Sequence, residues 1–215
     1  MRLRVDEKTA DARPRYRIVF PEVLMKFILS IVGLLIPLVI TLSPQCVRAD
    51  SAPLVLPQKQ VSLVSGKGSA VSVTGLTFRG KEVPYTSFGN WDATLAFQGG
   101  ISNWSGHEDG SRNARVTDLS ITPILSLYPR GFELSKFVPY VEMGLGAHLI
   151  SKTYINRDRR FATAYQFGEH VEVGVRFGTQ KEFGLGVFVQ HVSNGSIKEP
   201  NNGLTYSGVK FSYGF

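Results

Sequence analysis

The sequence predicts an all-β fold, an eight-stranded antiparallel transmembrane β-barrel. Three observations lead to this prediction. From residue 60 onward, successive segments alternate apolar and polar residues with the period of two that a strand requires. The polar face of these segments combines glycine with charged residues, and the last segment alternates aromatic residues up to Phe215. Segments of ~9–11 residues are long enough to cross a bilayer as tilted strands.

The first 49 residues are predicted to be an N-terminal extension and a secretory signal peptide. Residues 27–42 form an apolar run of 16 residues, and Val47 and Ala49 provide the small side chains that a signal peptidase requires at positions −3 and −1. We expect cleavage after Ala49, which leaves residues 50–215 as the barrel domain. An uncleaved membrane helix is the alternative, but the run is short for a span.

Most of the excess positive charge lies in this signal segment. The whole chain has 24 Lys and Arg against 17 Asp and Glu, and removal of residues 1–49 leaves 16 against 13, a net charge of +3. This charge gives no reason to expect nucleic-acid binding. Cys46 leaves with the signal, so the mature chain has no disulfide or thiolate chemistry. Met25 is an alternative start, because a signal that begins there has an ordinary length.

Eight segments of the mature chain are predicted strands. Residues 50–59 contain two prolines and are predicted to be a tether. Residues 80–89 are predicted to be a turn segment between the second and third strands. The predicted strands are residues 60–65, 70–78, 91–101, 118–128, 137–150, 166–177, 183–194 and 204–215.

The odd-numbered face of each clear strand is apolar, and the even-numbered face is small or polar. A soluble barrel would bury the apolar face and expose the polar one. A membrane barrel turns the apolar face to lipid and encloses the polar groups among glycines, where opposite charges neutralise one another. The combination of charge and glycine on one face favours the membrane barrel. Its predicted interior contains Asp92, Asp118, Glu142, His148, His170, Glu172 and Arg176.

The predicted barrel also has a predicted orientation in the membrane. If Phe215 ends on the periplasmic side, the strand 183–193 runs outward and ends near the outer leaflet. The short connections 129–136 and 178–182 are then periplasmic. The segments predicted to lie outside are residues 105–112, 151–160 and 195–203.

His191 and Ser193 lie on the lipid-facing side at the outer end of this strand. A serine hydroxyl needs a general base to become nucleophilic, and an imidazole two residues away on the same face is near enough to serve. Asn194 could offer an amide N–H to a developing oxyanion. The alternative is an interfacial histidine followed by a simple turn at 193–195, because H-x-S is a short and common pattern.

The stretch His191–Gly203, HVSNGSIKEPNNG, resembles the signature of outer-membrane lipid A 3-O-deacylases. In that family an H-x-S-N stretch precedes a P-N-x-G loop and a last strand that ends in an aromatic residue. The resemblance implies a carboxylic ester hydrolase of the bacterial outer membrane that needs no cofactor and no metal. By this resemblance Ser193 is the nucleophile, His191 the base and Asn194 the oxyanion donor. The implied substrate is the hydroxyacyl chain esterified at position 3 of lipid A.

Thr205 departs from the family pattern. The resemblance implies a glutamate shortly after the P-N-x-G segment that orients the histidine, and Thr205 occupies that place. Thr205 could accept a weaker hydrogen bond from His191. Glu169, on the lipid-facing row of the preceding strand, and Glu199, in the loop, are the alternative acids.

The predicted partners are lipid A, or lipopolysaccharide, and the membrane itself, with a homodimer as one possible assembly. Two other readings stay open: an inactive deacylase relative, and a non-enzymatic small barrel that acts as an adhesin or structural protein. Three arginines of a predicted outer loop could contact lipid A phosphates, although an exposed loop charge run is the better explanation of them. They are Arg157, Arg159 and Arg160.

Overall fold

A computed structural model describes residues 54–132 and 135–215 of the 215-residue chain. The predicted extension and signal, residues 1–49, lie outside the described residues. The described part forms the strands β1 (Gln60–Gly68), β2 (Val71–Arg79), β3 (Val83–Phe88), β4 (Trp91–Gly106), β5 (Arg115–Pro129), β6 (Phe137–Ile150), β7 (Tyr154–Asn156), β8 (Arg159–Arg160), β9 (Tyr165–Phe177), β10 (Phe183–Ser193) and β11 (Leu204–Gly214).

Eight of these strands close into an antiparallel barrel, as predicted. Around the ring the order is β1, β11, β10, β9, β6, β5, β4 and β2, and β2 pairs again with β1. Closure leaves these eight strands without a free edge, so their backbone groups are paired inside the wall.

The predicted turn at residues 80–89 is wrong over Val83–Phe88, which form β3. Both β2 and β3 pair with β4. β2 pairs with residues 98–106 of β4, and β3 pairs with residues 91–95. A register shift between Pro84 and Thr86 interrupts the alternation there. Proline lacks a ladder N–H, which explains why the sequence pattern of a strand is weak in this segment.

The outer wall is apolar and the interior is polar, as the parity of the sequence predicts. Exposed apolar side chains along most of the wall come from odd-numbered positions, whereas in β2 they are the even-numbered Leu76 and Phe78. An apolar belt of this kind is what a transmembrane barrel presents to lipid. Examples are Phe97, Ile101, Leu119, Ile121, Leu149, Val187, Val209 and Phe211. Residues 54–132 and 135–215 include no helical segment that qualifies as a membrane span.

Ion pairs fill the lower interior of the barrel. Arg79 donates two hydrogen bonds to Glu142, at 2.5 and 2.6 Å, and Lys210 lies 3.1 Å from the same carboxylate. Six of the seven side chains predicted for the interior are buried. The exception is Asp92, whose carboxylate pairs with Arg130 at 2.9 Å and is about one-third exposed. The predicted neutralisation of charge in a narrow lumen is therefore confirmed for the inner groups.

Glycines on the even-numbered face make room for this network. A Cβ added at Gly186 would collide with the Glu172 carboxylate, and one at Gly174 would collide with the Tyr140 hydroxyl. The Tyr140 hydroxyl donates to Glu172 at 2.6 Å. Small residues in the wall are thus required wherever large polar side chains cross the lumen.

The outer end of the lumen is closed by apolar packing. Trp104, Val192 and Leu204 from the wall pack with Ile155 and Phe161 from the 151–164 segment, and all are nearly or completely buried. Because this cluster occupies the lumen, a site for a membrane lipid must lie on the outside of the wall.

Candidate active site

β10 carries His191 and Ser193 on the outside of the barrel at its outer end. Both side chains are half-buried, whereas Val192 between them is fully buried in the apolar cluster. The alternation of the strand therefore holds the imidazole and the hydroxyl on one side, as the sequence predicts. The chain then turns into the 194–203 loop.

His191 contacts β11 through Thr205. The two residues are register partners, and Nδ1 of His191 lies 2.7 Å from Oγ1 of Thr205. A neutral imidazole that donates its Nδ1–H to this hydroxyl keeps Nε2 as a free acceptor. In this tautomer Nε2 can accept a proton from a serine.

Gly203 packs against the imidazole ring from the loop side. A Cβ added at this glycine would lie 3.0 Å from Cε1 and 3.4 Å from Nε2 of His191. Gly203 also has a φ of +59°, a backbone conformation that disfavours other residues. The sequence alone predicts no function for Gly203, and its position beside the ring reveals one.

The neighbours of Ser193 are the loop backbone and β9. Ser193 pairs with Phe167 in register, and the N–H of Gly195 lies 3.5 Å from the serine Oγ. This is a long contact, but it shows that a backbone donor faces the hydroxyl.

Asn194 is buried and is engaged by the loop. Its backbone N–H donates to Oδ1 of Asn201 at 3.1 Å, and its side-chain Nδ2 donates to the carbonyl of Lys198 at 2.7 Å. Its Oδ1 is buried and has no partner among the described residues. Asn194 therefore shapes the loop that follows Ser193, and one of its amide hydrogens is used for that purpose.

The structure distinguishes the three candidates for the residue that orients His191. Glu169 is the register partner of His191 on β9, but its side chain makes no hydrogen bond or ion pair within the described ranges. Glu199 accepts a hydrogen bond from the N–H of Asn201 at 2.7 Å inside the loop. Thr205 is the candidate that contacts the imidazole.

Comparison with known proteins identifies the family. Residues 72–214 match the family model described as lipid A 3-O-deacylase (PagL). The chain belongs to the lipid A 3-O-deacylase (PagL) family. The similar curated proteins are lipid A deacylases PagL of Bordetella bronchiseptica, 32% identical over 82% of this chain and 93% of the relative, and of Pseudomonas aeruginosa, 26% identical over 76% of this chain and 92% of the relative.

A solved structure shares the fold. The crystal structure of the outer membrane enzyme PagL superposes with a TM-score of 0.57 at 20% identity, over 73% of this chain and 99% of the other. Together with the family match, this confirms the predicted family and the predicted eight-stranded barrel. The resemblance that rested on residues 191–203 thus extends to most of the barrel.

A second cluster of potential ligand groups in this PagL-family barrel has a structural explanation. Glu142, His170 and Glu172 bring one ligand atom each within 4.8 Å of one another. Lys210 is ion-paired with both carboxylates, and Arg79 is paired with Glu142. Cations already occupy the places around these carboxylates that a metal ion would take, so the cluster is part of the polar core.

Proposed function

We propose that this chain is a lipid A 3-O-deacylase of the bacterial outer membrane that works by Ser193–His191 catalysis. The hydrogen bond between His191 and Thr205 carries the proposal, because it leaves Nε2 free on the same face of β10 as the Ser193 hydroxyl. Family membership supports the substrate and the location. The exposed apolar wall around the site suits a substrate that stays in the outer leaflet.

The first half of the proposed reaction transfers the acyl chain to the serine. Ser193 Oγ attacks the ester carbonyl carbon at position 3 of lipid A, and His191 Nε2 takes the hydroxyl proton. The tetrahedral intermediate collapses with cleavage of the bond to the sugar oxygen. His191 returns the proton to that oxygen, which leaves as the free 3-hydroxyl group.

The second half regenerates the enzyme with water. His191 removes a proton from a water molecule that attacks the acyl-serine carbonyl, and the serine oxygen leaves with that proton. The products are a free 3-hydroxy fatty acid and the restored serine. No metal or cofactor takes part in this sequence of steps.

The proposed oxyanion donors lie in the loop that follows Ser193. The Gly195 N–H lies 3.5 Å from the serine Oγ, so an ester carbonyl carbon that Oγ attacks would bring its oxygen close to this fixed donor. Asn194 remains a proposed donor with its second amide hydrogen, since the first one donates to Lys198.

Thr205 is proposed as the residue that orients the base. Its hydroxyl fixes the ring and the tautomer of His191 but supplies no negative charge to balance an imidazolium. Glu169 is the second candidate, because it is the register partner of His191 on β9 and its carboxylate is free of other partners in the described part of the chain.

Mass spectrometry of lipid A from cells that express the protein tests the activity. We expect loss of one ester-linked hydroxyacyl chain, and we expect Ser193→Ala and His191→Asn to abolish that loss. Ser207→Ala is the matched control, because Ser207 is an exposed, odd-numbered serine on the neighbouring β11. Activity should persist in this control.

Unchanged lipid A in the presence of a correctly folded barrel would refute the enzyme proposal. It would favour either an inactive relative or a structural barrel. The observation that motivates the inactive relative is the hydroxyl of Thr205 in the place of a carboxylate. A homodimer remains a prediction, and crosslinking in intact outer membranes would test it.

A further inference from the structure

Three arginines on the outer hairpin have different surroundings. The Arg157 guanidinium pairs with Glu108 at 2.9 Å, and the Arg160 guanidinium lies 5.5 Å from the centre of the Tyr154 ring. Arg159 has no carboxylate partner among the described residues. In the described part of the chain Arg157 is therefore the only one of the three with a carboxylate partner, and Arg159 has neither a carboxylate nor an aromatic ring beside it.

The Arg159 guanidinium also has a free hydrogen-bonding edge. Its Nη1 donates to the carbonyl of Asp158 at 3.0 Å. Its Nε is buried and has no hydrogen-bond partner within the described ranges. A buried donor without an acceptor is costly, and one that belongs to a cation is more costly still. An anion that accepts from Nη2, and from Nε once the side chain turns outward, would satisfy these donors.

The hairpin that carries Arg159 is attached to the loop of the active site. The N–H of Arg160 donates to Oδ1 of Asn202 at 3.3 Å, and the N–H of Asn202 donates to the Arg160 carbonyl at 3.2 Å. Phe161 forms a β-bridge with Asn201. Asn202 is followed by Gly203, which touches the His191 ring.

This series of contacts connects the backbone beside Arg159 to the ring of His191. The segment that carries Arg159 therefore borders the proposed active site.

We propose that Arg159 binds a phosphate group of the lipid A headgroup and so positions the substrate over Ser193. This inference rests on the proposed function. The planar guanidinium makes two parallel hydrogen bonds to a phosphate, which a lysine cannot reproduce. Such a bond pair fixes the orientation of the sugar as well as its distance from the site. Arg159 is accordingly a substrate-binding residue that determines specificity for phosphorylated lipids.

Binding to a catalytically blocked protein tests this role. The full chain with Ser193→Ala is folded in detergent micelles, and its affinity is measured for lipid A and for chemically dephosphorylated lipid A. We expect Arg159→Gln to weaken binding of lipid A about 10-fold, which corresponds to one charge-assisted contact. Binding of the dephosphorylated lipid should not change. Arg159→Lys should recover part of the loss.

Arg160→Gln is the matched control, since it removes a neighbouring arginine that stacks on Tyr154 and leaves affinity for both lipids unchanged. Equal affinity of Arg159→Gln and its parent for lipid A would overturn the proposal. Equal weakening toward both lipids would also overturn it, because it would indicate a structural role. Inorganic phosphate alone should compete weakly, and competition as strong as that of lipid A would mean a site for free anions.

This experiment is separate from the test of the proposed function. Binding to the Ser193→Ala protein requires no turnover. A wild-type chain that does not deacylate lipid A would refute the proposed function, whereas the comparison of the two lipids would still decide whether Arg159 binds a phosphate.

Discussion

Nδ1 of His191 and Oγ1 of Thr205 lie 2.7 Å apart across the pairing of β10 and β11. The resemblance in the sequence implied a glutamate in the place of Thr205, and the structure gives the threonine the same hydrogen-bonding partner. A hydroxyl can fix the imidazole ring, but it cannot stabilise a positive charge as a carboxylate does. The His191 imidazole is therefore oriented without a charged partner in contact with it.

Removal of the Thr205 hydroxyl should lower the turnover number. Thr205→Val keeps the shape of the side chain and deletes the acceptor, so we expect kcat to fall about 10-fold, the equivalent of one hydrogen bond. Thr205→Ser retains the hydroxyl and is the control. Rates of acyl release from purified lipid A measure both variants. An unchanged rate in Thr205→Val would mean that this bond does not orient the base.

Restoration of a carboxylate should raise activity. In Thr205→Glu the carboxylate can accept from Nδ1 and stabilise the imidazolium, so we expect a higher kcat than in the wild-type chain. Glu169→Gln should have little effect if Thr205 is the orienting residue. The opposite pattern, no gain from Thr205→Glu together with loss in Glu169→Gln, would assign the role to Glu169.

Gly203→Ala should impair catalysis through the ring of His191. The added methyl group would lie 3.0 Å from Cε1, so the ring must shift away from its position beside Thr205, and we expect a loss of about 10-fold or more in kcat. Gly110→Ala is the matched control: its φ of +68° carries a similar backbone strain, and nothing lies within 4 Å of the added atom. Equal activity of the two variants would exclude a positioning role for Gly203.

Neutralisation of Glu142 should destabilise the barrel. Glu142→Gln leaves the buried cations Arg79 and Lys210 without their shared carboxylate, and breaking a buried pair typically costs about 3–5 kcal/mol. Urea unfolding in detergent micelles measures the change in the free energy of unfolding. Glu108→Gln breaks the far more exposed pair with Arg157 and should cost at most about 1 kcal/mol. Similar losses in both variants would contradict this account of the lumen.

The alternation of apolar and polar residues predicted the barrel, because this alternation can be seen within each strand without knowledge of its neighbours. Residues 137–150 were predicted as a strand and form β6 with the same bounds. β4 continues to Gly106, beyond the predicted end at residue 101, where polar and small residues hide the period. β3 was missed for a related reason, since Pro84 and the register shift beside it break the alternation.

A period of two along single strands predicts the barrel, most of its lipid-facing rows and the outward placement of His191 and Ser193. It could not choose between Thr205 and Glu169, since a strand inside a sheet has a neighbour on each side and both residues are register partners of His191. The rotamer of the imidazole makes that choice, and it depends on Gly203 and on the hydroxyl across the ladder. The different surroundings of Arg157, Arg159 and Arg160 likewise became visible only in the tertiary structure. Contacts with Glu108 and with Tyr154 distinguish Arg157 and Arg160 from Arg159.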